Sequence, residues 1–294
     1  MRFLLLLLFL SPLFTYAQND SPTTPTERII SCAPNITEIV FALGRGDEVV
    51  GVSTYTDYPP EAAELPRVVD LFNPNLEAML QLDPTMIIAL RSNTDVINFF
   101  EDRSGVNVIT TGRIETLKEI NSAIRLLGNV LDREGKAKEI IALQPEPSER
   151  DHEGPAPRFL GVVGYGPGLS QLYAVGHGTF LNELLELAGG ENVVSEELGE
   201  YPVLSKEALI RYNPDFIILM VKEGKFEGRY EKVKREWKKL STMKAVREKD
   251  FRFIIGKDMV IPGPRAVHFL PLFEKLIWET EPGGYVEAKM LSSK

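Results

Sequence analysis

The chain contains one passage twice, and that repetition limits its fold more than any other feature of the sequence. The segment Leu76-Glu-Ala-Met-Leu-Gln-Leu-Asp-Pro-Thr-Met-Ile-Ile-Ala-Leu90 recurs as Lys206-Glu-Ala-Leu-Ile-Arg-Tyr-Asn-Pro-Asp-Phe-Ile-Ile-Leu-Met220. Each copy predicts a short helix that opens at Glu-Ala. Each helix must stop at Asp-Pro or Asn-Pro, because proline cannot continue it and disfavours the helical conformation in the residue before. Each copy then ends in an unbroken apolar run, the pattern of a strand covered on both faces. A second pair supports the first: Ile36-Thr-Glu-Ile-Val-Phe-Ala-Leu-Gly44 matches Leu181-Asn-Glu-Leu-Leu-Glu-Leu-Ala-Gly189. Both predict amphipathic helices closed by a glycine suited to the left-handed position that follows a helix.

Further strand signals lie at Arg28–Ser31, Val49–Val52, Val106–Thr110, Phe159–Val163 and Phe251–Ile255, with helical patterns at Asp95–Arg103, Glu115–Leu131 and Pro264–Trp278. Strands alternating with helices predict an α/β class with mostly parallel sheets. Doubled by the repeat, this becomes two similar α/β lobes, and the natural ligand site is the cleft between them. A proline-rich break at Gln144–Pro157 divides the chain near its middle. The expected order is a leader at 1–17, a flexible lead-in at 18–27, an N-terminal lobe at 28–131, a connecting helix and linker at 132–157, a C-terminal lobe at 158–280 and a tail at 281–294.

The leader reads as a cleavable signal peptide. Arg2 precedes an apolar run, Phe3–Leu10, and small residues stand at Thr15 and Ala17. The run is too short to span a bilayer. Cleavage after Ala17 leaves Gln18 first, and with no cysteine at that junction no lipid anchor is expected. An exported, untethered protein is expected in a periplasm. The formal net charge of −9 argues against nucleic acid or anionic lipid as a partner. A single cysteine, Cys32, excludes internal disulfides and is expected to be buried and inert.

No catalytic or metal-binding pattern stands out. The sequence has no Gly-x-Ser-x-Gly elbow, phosphate loop or His-Glu-x-x-His. The three histidines, His152, His177 and His268, are far apart, so no metal site is expected. His177, between two glycines, is expected to be solvated. Gly164-Tyr-Gly-Pro-Gly168 follows a strand but fails the dinucleotide spacing; it predicts a cleft loop whose glycines let a large ligand approach, with Tyr165 projecting. Trp237 and Trp278, inside helical patterns, predict packing residues.

Three segments carry a family resemblance: Gly51-Val-Ser-Thr-Tyr-Thr-Asp-Tyr-Pro-Pro-Glu61, Asn73-Pro-Asn-Leu-Glu-Ala-Met-Leu80 and Gly176-His-Gly-Thr-Phe-Leu-Asn-Glu-Leu-Leu-Glu-Leu-Ala-Gly-Gly-Glu-Asn192. Over about Arg28–Trp278 the chain resembles the helical-backbone solute-binding proteins of ABC importers, and within them the vitamin B12-binding members. The resemblance implies two lobes joined by one long helix beginning near Asp132, although Pro145 and Pro147 shorten or kink it here. It implies no enzyme activity and no bound cofactor. The expected cargo is a small metal chelate, cobalamin or a related corrinoid, delivered by a monomer to a permease dimer. The same fold carrying an iron-siderophore or haem is the alternative, and an exported α/β hydrolase is a third. The implied ligand residues are Tyr55, Phe72, Arg91, Tyr165, Tyr201 and the loop Asp258, Met259, Val260, Ile261 and Pro262. Two cleft tryptophans of the vitamin B12-binding members correspond to Leu71 and Leu90. Glu77 and Glu207, equivalent in the repeat, are implied to dock on the permease.

Overall fold

The computed structural model describes residues 27–70, 73–103, 105–145, 155–221, 228–256, 259–282 and 284–287. The leader at 1–17, most of the lead-in, Leu71, Phe72, Pro147, His152 and Asp258 lie outside the described residues. The first sheet contains β1 (Ile29–Ser31), β2 (Val49–Ser53), β3 (Arg67–Val69), β4 (Met86–Leu90) and β5 (Asn107–Thr111), in the order β3-β2-β1-β4-β5. All its pairings are parallel. The second contains β6 (Arg158–Gly166), β7 (Ser170–Ala174), β8 (Glu191–Asn192), β9 (Val203–Leu204), β10 (Phe216–Val221), β11 (Phe251–Ile255) and β12 (Tyr285–Glu287). Its order is β12-β11-β10-β6-β7-β9, with β8 beside β6, and only the β6–β7 and β7–β9 pairings are antiparallel. The strand β12 falls inside the expected tail, and the strand β6 runs on through most of the expected glycine loop to form a hairpin with β7.

Helices α1 (Pro34–Ala42), α2 (Pro60–Ala63), α3 (Leu76–Gln81), α4 (Thr94–Phe100), α5 (Leu117–Val130) and α6 (Glu134–Ala142) belong to the first half. The second half supplies α7 (Phe180–Leu187), α8 (Lys206–Tyr212), α9 (Arg229–Trp237), α10 (Lys244–Glu248) and α11 (Leu270–Trp278). The two copies of the repeat fold alike down to the backbone. Asp83 and Asn213, each before a buried proline, adopt left-handed φ values of 46° and 43°. The glycines that close α1 and α7, Gly44 and Gly189, have φ values of 77° and 92°. Each short helix is capped the same way: the Asn75 side chain accepts from the Ala78 N–H, and Ser205 Oγ accepts from the Ala208 N–H.

The connecting helix expected from near Asp132 is α6, which is short and packs back on α5. The helix α5 opens with a reciprocal cap between Thr116 and Glu119. It ends where Asp132 takes a φ of 53°, which an ordinary helical residue does not adopt. The chain turns there and α6 packs back on α5, so closely that a Cβ at Gly128 would stand 2.4 Å from that of Ala137. α6 stops at Ala142, before the prolines.

A single apolar cluster joins the lobes. It contains Ile29 and Ile88 of the first sheet, Phe159 and Ile218 of the second, and Ile124 of α5 and Leu184 of α7 between them. The amphipathic faces of α1, α5, α7 and α11 thus bury against one another. The outer face of each sheet has its own smaller cluster, and Trp237 is fully buried in that of the second.

Candidate functional site

In a doubly wound sheet, ligands bind beyond the C-terminal strand ends where the winding changes direction. In the first sheet that point lies between β1 and β4. A cavity of about 730 Å³ opens there, walled by Ala33 and Pro34 after β1, Leu90 at the end of β4, and Ile114 after β5. Val260, Ile261 and Pro262, which follow β11, close it from the other lobe. A second space of about 360 Å³ shares Tyr55, Val260 and Ile261 with the first and reaches Val163 and Met220 of the second sheet. A third, of about 400 Å³, shares Met220 and Val221 and ends at Tyr165. The three make one trough across both sheets.

The model of the periplasmic binding protein family matches residues 29–256. The chain belongs to that family. An uncharacterised ABC transporter substrate-binding lipoprotein of Bacillus subtilis is 28% identical, over 85% of this chain and 80% of its own length. The vitamin B12-binding protein of Salmonella typhimurium is 30% identical, over 76% of this chain and 80% of its own length. A solved structure from Staphylococcus epidermidis, described as a possible iron-binding periplasmic solute-binding protein, has a TM-score of 0.68 and 26% identity, covering 86% of this chain and all of that one. The family is one of solute-binding proteins, and its two-lobed architecture is the one found here.

Local bonds explain how this periplasmic binding protein shapes its trough. Beyond β2, the Ser53 and Thr56 hydroxyls bond at 2.8 Å and the Thr54 N–H bonds to the Val69 carbonyl, forming a tight turn. Tyr55 sits at its tip, 64% exposed. Beyond β4, buried Asn93 accepts from the Leu90 N–H at 2.9 Å and fixes the turn that carries Arg91. Arg91 is exposed on the cavity rim and forms no ion pair among the described residues. The Val260–Pro262 wall is anchored from behind. Arg265, in the turn before α11, donates from Nε to Glu38 Oε2 of α1 at 2.8 Å and forms a second bond from Nη2 to Glu38 Oε1.

Of the expected ligand residues, Tyr55, Arg91, Val260, Ile261 and Pro262 line the main cavity. Met259 lines the adjoining space and is 4% exposed. Tyr165 lines the far end, where its hydroxyl bonds to Glu236 at 2.9 Å and its ring meets the edge of Trp237. Tyr201 is not on the walls of these spaces. It packs half-buried against the shared core, and burial, with Glu115 and Glu200 near, pushes its hydroxyl pKa up. Glu77 and Glu207 lie exposed on α3 and α8, away from the trough. His177, expected to be solvated, is half-buried and pairs Nε2 with the Val194 carbonyl at 2.9 Å. Trp278 is 40% exposed and donates from its indole to the Ala188 carbonyl.

Sequence reasoning missed Arg113. It follows β5, lines the main cavity and bridges to Glu200 of the other lobe at 2.7 Å. The hydrogen bond from Arg113 holds the Glu200 carboxyl below its usual range, while burial raises that of Glu115 beside it. Backbone bonds cross at the same place: the Phe180 N–H reaches the Glu115 carbonyl, and the Leu117 N–H reaches Glu183, both at 2.6 Å. The signal was available, because Gly112-Arg113 comes just beyond the predicted strand Val106–Thr110. Its partner lies too far along the chain to be read.

Cys32 also touches the main cavity, but burial pushes its thiol pKa up to about 12, so it is no nucleophile at neutral pH. Among the described residues no group of His, Cys, Asp and Glu has the arrangement of a metal site, and no helix is long and apolar enough to cross a membrane.

Proposed function

We propose that this chain is exported to the periplasm, captures cobalamin or a related corrinoid in the trough, and delivers it as a monomer to the permease dimer of an ABC importer. The observation that carries this reading is the apolar lining of the trough together with Tyr55 standing into it. A corrin is broad and flat. Its faces gain from burial against Pro34, Leu90, Ile114 and Ile261, and Tyr55 offers a ring for stacking. The similarity to the vitamin B12-binding protein of Salmonella typhimurium supports the same cargo. Glu77 and Glu207 serve as docking points, one per lobe. Among the described residues of the trough no nucleophile stands beside a base, which supports carriage over hydrolysis.

One observation favours a second cargo. Arg91, without an ion pair among the described residues, stands beside the apolar walls, a position suited to an anionic group, and an iron-siderophore or haem carries such groups. The Staphylococcus epidermidis structure supports iron in that role. Calorimetric titration with cyanocobalamin, haemin and a panel of ferric siderophores, followed by visible spectra, separates the readings. Saturable binding of cyanocobalamin alone supports the corrinoid. Binding of haemin or a siderophore in its place, lost in Arg91→Ala, overturns it.

A further inference from the structure

The repeat places more than a glutamate on the outer surface of each lobe. Helix α3 buries Met79 and turns Glu77 and Leu80 to solvent; helix α8 buries Leu209 and turns Glu207 and Ile210 to solvent. Leu80 is 37% exposed and Ile210 43%. Each follows its glutamate by three residues, so the two side chains are neighbours on one helix face, with Cβ atoms about 5–6 Å apart. Each precedes its proline, Pro84 or Pro214, by four. One exposed aliphatic residue means little, since more than half of a folded surface is apolar. Here the same exposed position is aliphatic in both lobes, while the next exposed position has diverged to Gln81 in one and Arg211 in the other. Folding does not demand this, because Met79 and Leu209 already supply the buried contact of each helix.

We propose that Leu80 and Ile210 are the apolar anchors of a docking surface built in two like halves, each half one glutamate and one aliphatic side chain. The partner is a membrane-embedded dimer whose two-fold symmetry presents, twice, a cationic side chain beside an apolar recess. The inference rests on the docking role proposed for Glu77 and Glu207 and supplies what that role lacks. An exposed ion pair holds little affinity in water. An aliphatic side chain seated in a recess excludes water from the adjoining pair and strengthens it. The glutamates then set register and sign, and Leu80 and Ile210 hold the complex together.

The test uses the ligand-loaded protein and the importer reconstituted in proteoliposomes, with ATPase stimulation measured against binding-protein concentration. Leu80→Ser with Ile210→Ser should raise the half-stimulating concentration about tenfold, about threefold from each. Ligand affinity and the urea midpoint should not change. Leu126→Ser, an aliphatic of similar exposure on α5 with no repeat counterpart, is the control and should have no effect. If Glu77→Lys with Glu207→Lys abolishes stimulation and the serine pair does nothing, the anchors are wrong and the docking glutamates stand. If neither pair matters, the docking role itself fails. If sedimentation shows a dimer of this chain that the serine pair dissolves, the aliphatic residues serve self-association and the inference is overturned.

Discussion

The buried pair between Glu38 and Arg265 offers the sharpest test of how the trough is held. The Glu38 side chain is 1% exposed and that of Arg265 11%, and two hydrogen bonds join them. Arg265 also lies 4.3 Å from the Tyr58 ring centroid. Replacing Arg265 with Met keeps most of the volume but takes away the guanidinium that neutralises the buried Glu38 carboxylate. That costs about 3–5 kcal/mol. The urea midpoint of Arg265→Met should therefore fall by the equivalent of about 3–5 kcal/mol at unchanged slope. Glu38→Leu with Arg265→Met removes both charges and should recover most of that loss. Because Arg265 anchors the segment bearing Val260–Pro262, the single variant should also weaken the ligand. A loss below about 1 kcal/mol in the single variant, the level of an exposed pair, would refute the reasoning.

Three further outcomes are expected. Tyr55→Ala should weaken the natural ligand by about 1–3 kcal/mol by calorimetry, the scale of one lost stacking partner, and an unchanged affinity removes Tyr55 from the site. Cys32, with its thiol pKa near 12, should resist iodoacetamide at pH 8 in the folded protein and react once urea unfolds it; labelling without unfolding contradicts its burial. Burial raises the Asp215 carboxyl, but bonds from Lys244 and the Arg158 N–H outweigh it and the net pKa is lowered. A carboxyl depressed by folding stabilises above its unfolded pKa of about 4 and loses that stabilisation as pH falls through the folded value. Asp215→Asn should thus be less stable than the parent at pH 7 and nearly equal to it at the lowest pH where both fold; an equal gap at both ends refutes the assignment.

What the sequence disclosed and what it withheld divide along a physical line. The repeat was legible because its stops are local: Asp83-Pro84 and Asn213-Pro214 end their helices by covalent geometry, and the apolar runs beyond them read as buried strands. Tyr55 and Val260–Pro262 came from the family resemblance and not from any local pattern; the structure places them on the lining of the main cavity, where loops that follow parallel strands face the cleft. The reversal at Asp132 was not legible: aspartate is enriched at positive φ, as Asp83 also shows, but it stands in helices and ordinary turns too often for the residue type to mark one. Three-residue strands such as β3 and β12 are too short to show a period. Tyr201 came from the same resemblance; its ring lies half-buried against the core, off the walls of the trough.

The largest gap concerns the lobes themselves. An amphipathic pattern says that α5 and α7 each bury a face, not which partner receives it. The partner turns out to be the other lobe, and this changes the mechanics expected of a two-lobed carrier. With Ile124, Leu184 and Phe273 in one continuous cluster, any hinge between the sheets must expose core. At roughly 25 cal/mol per Å² of apolar surface, opening even a few hundred Å² costs several kcal/mol. Arg113–Glu200, Leu117–Glu183 and Glu38–Arg265 add polar ties across the same seam. The trough is therefore set before the ligand arrives, and the surface offered to a partner has nearly the same spacing empty or loaded. A docking surface divided between two lobes keeps its register only if the lobes do not move. If the protein docks as proposed, discrimination between empty and loaded forms falls to the ligand and to the trough-lining loops that bear Tyr55, Arg91 and Val260.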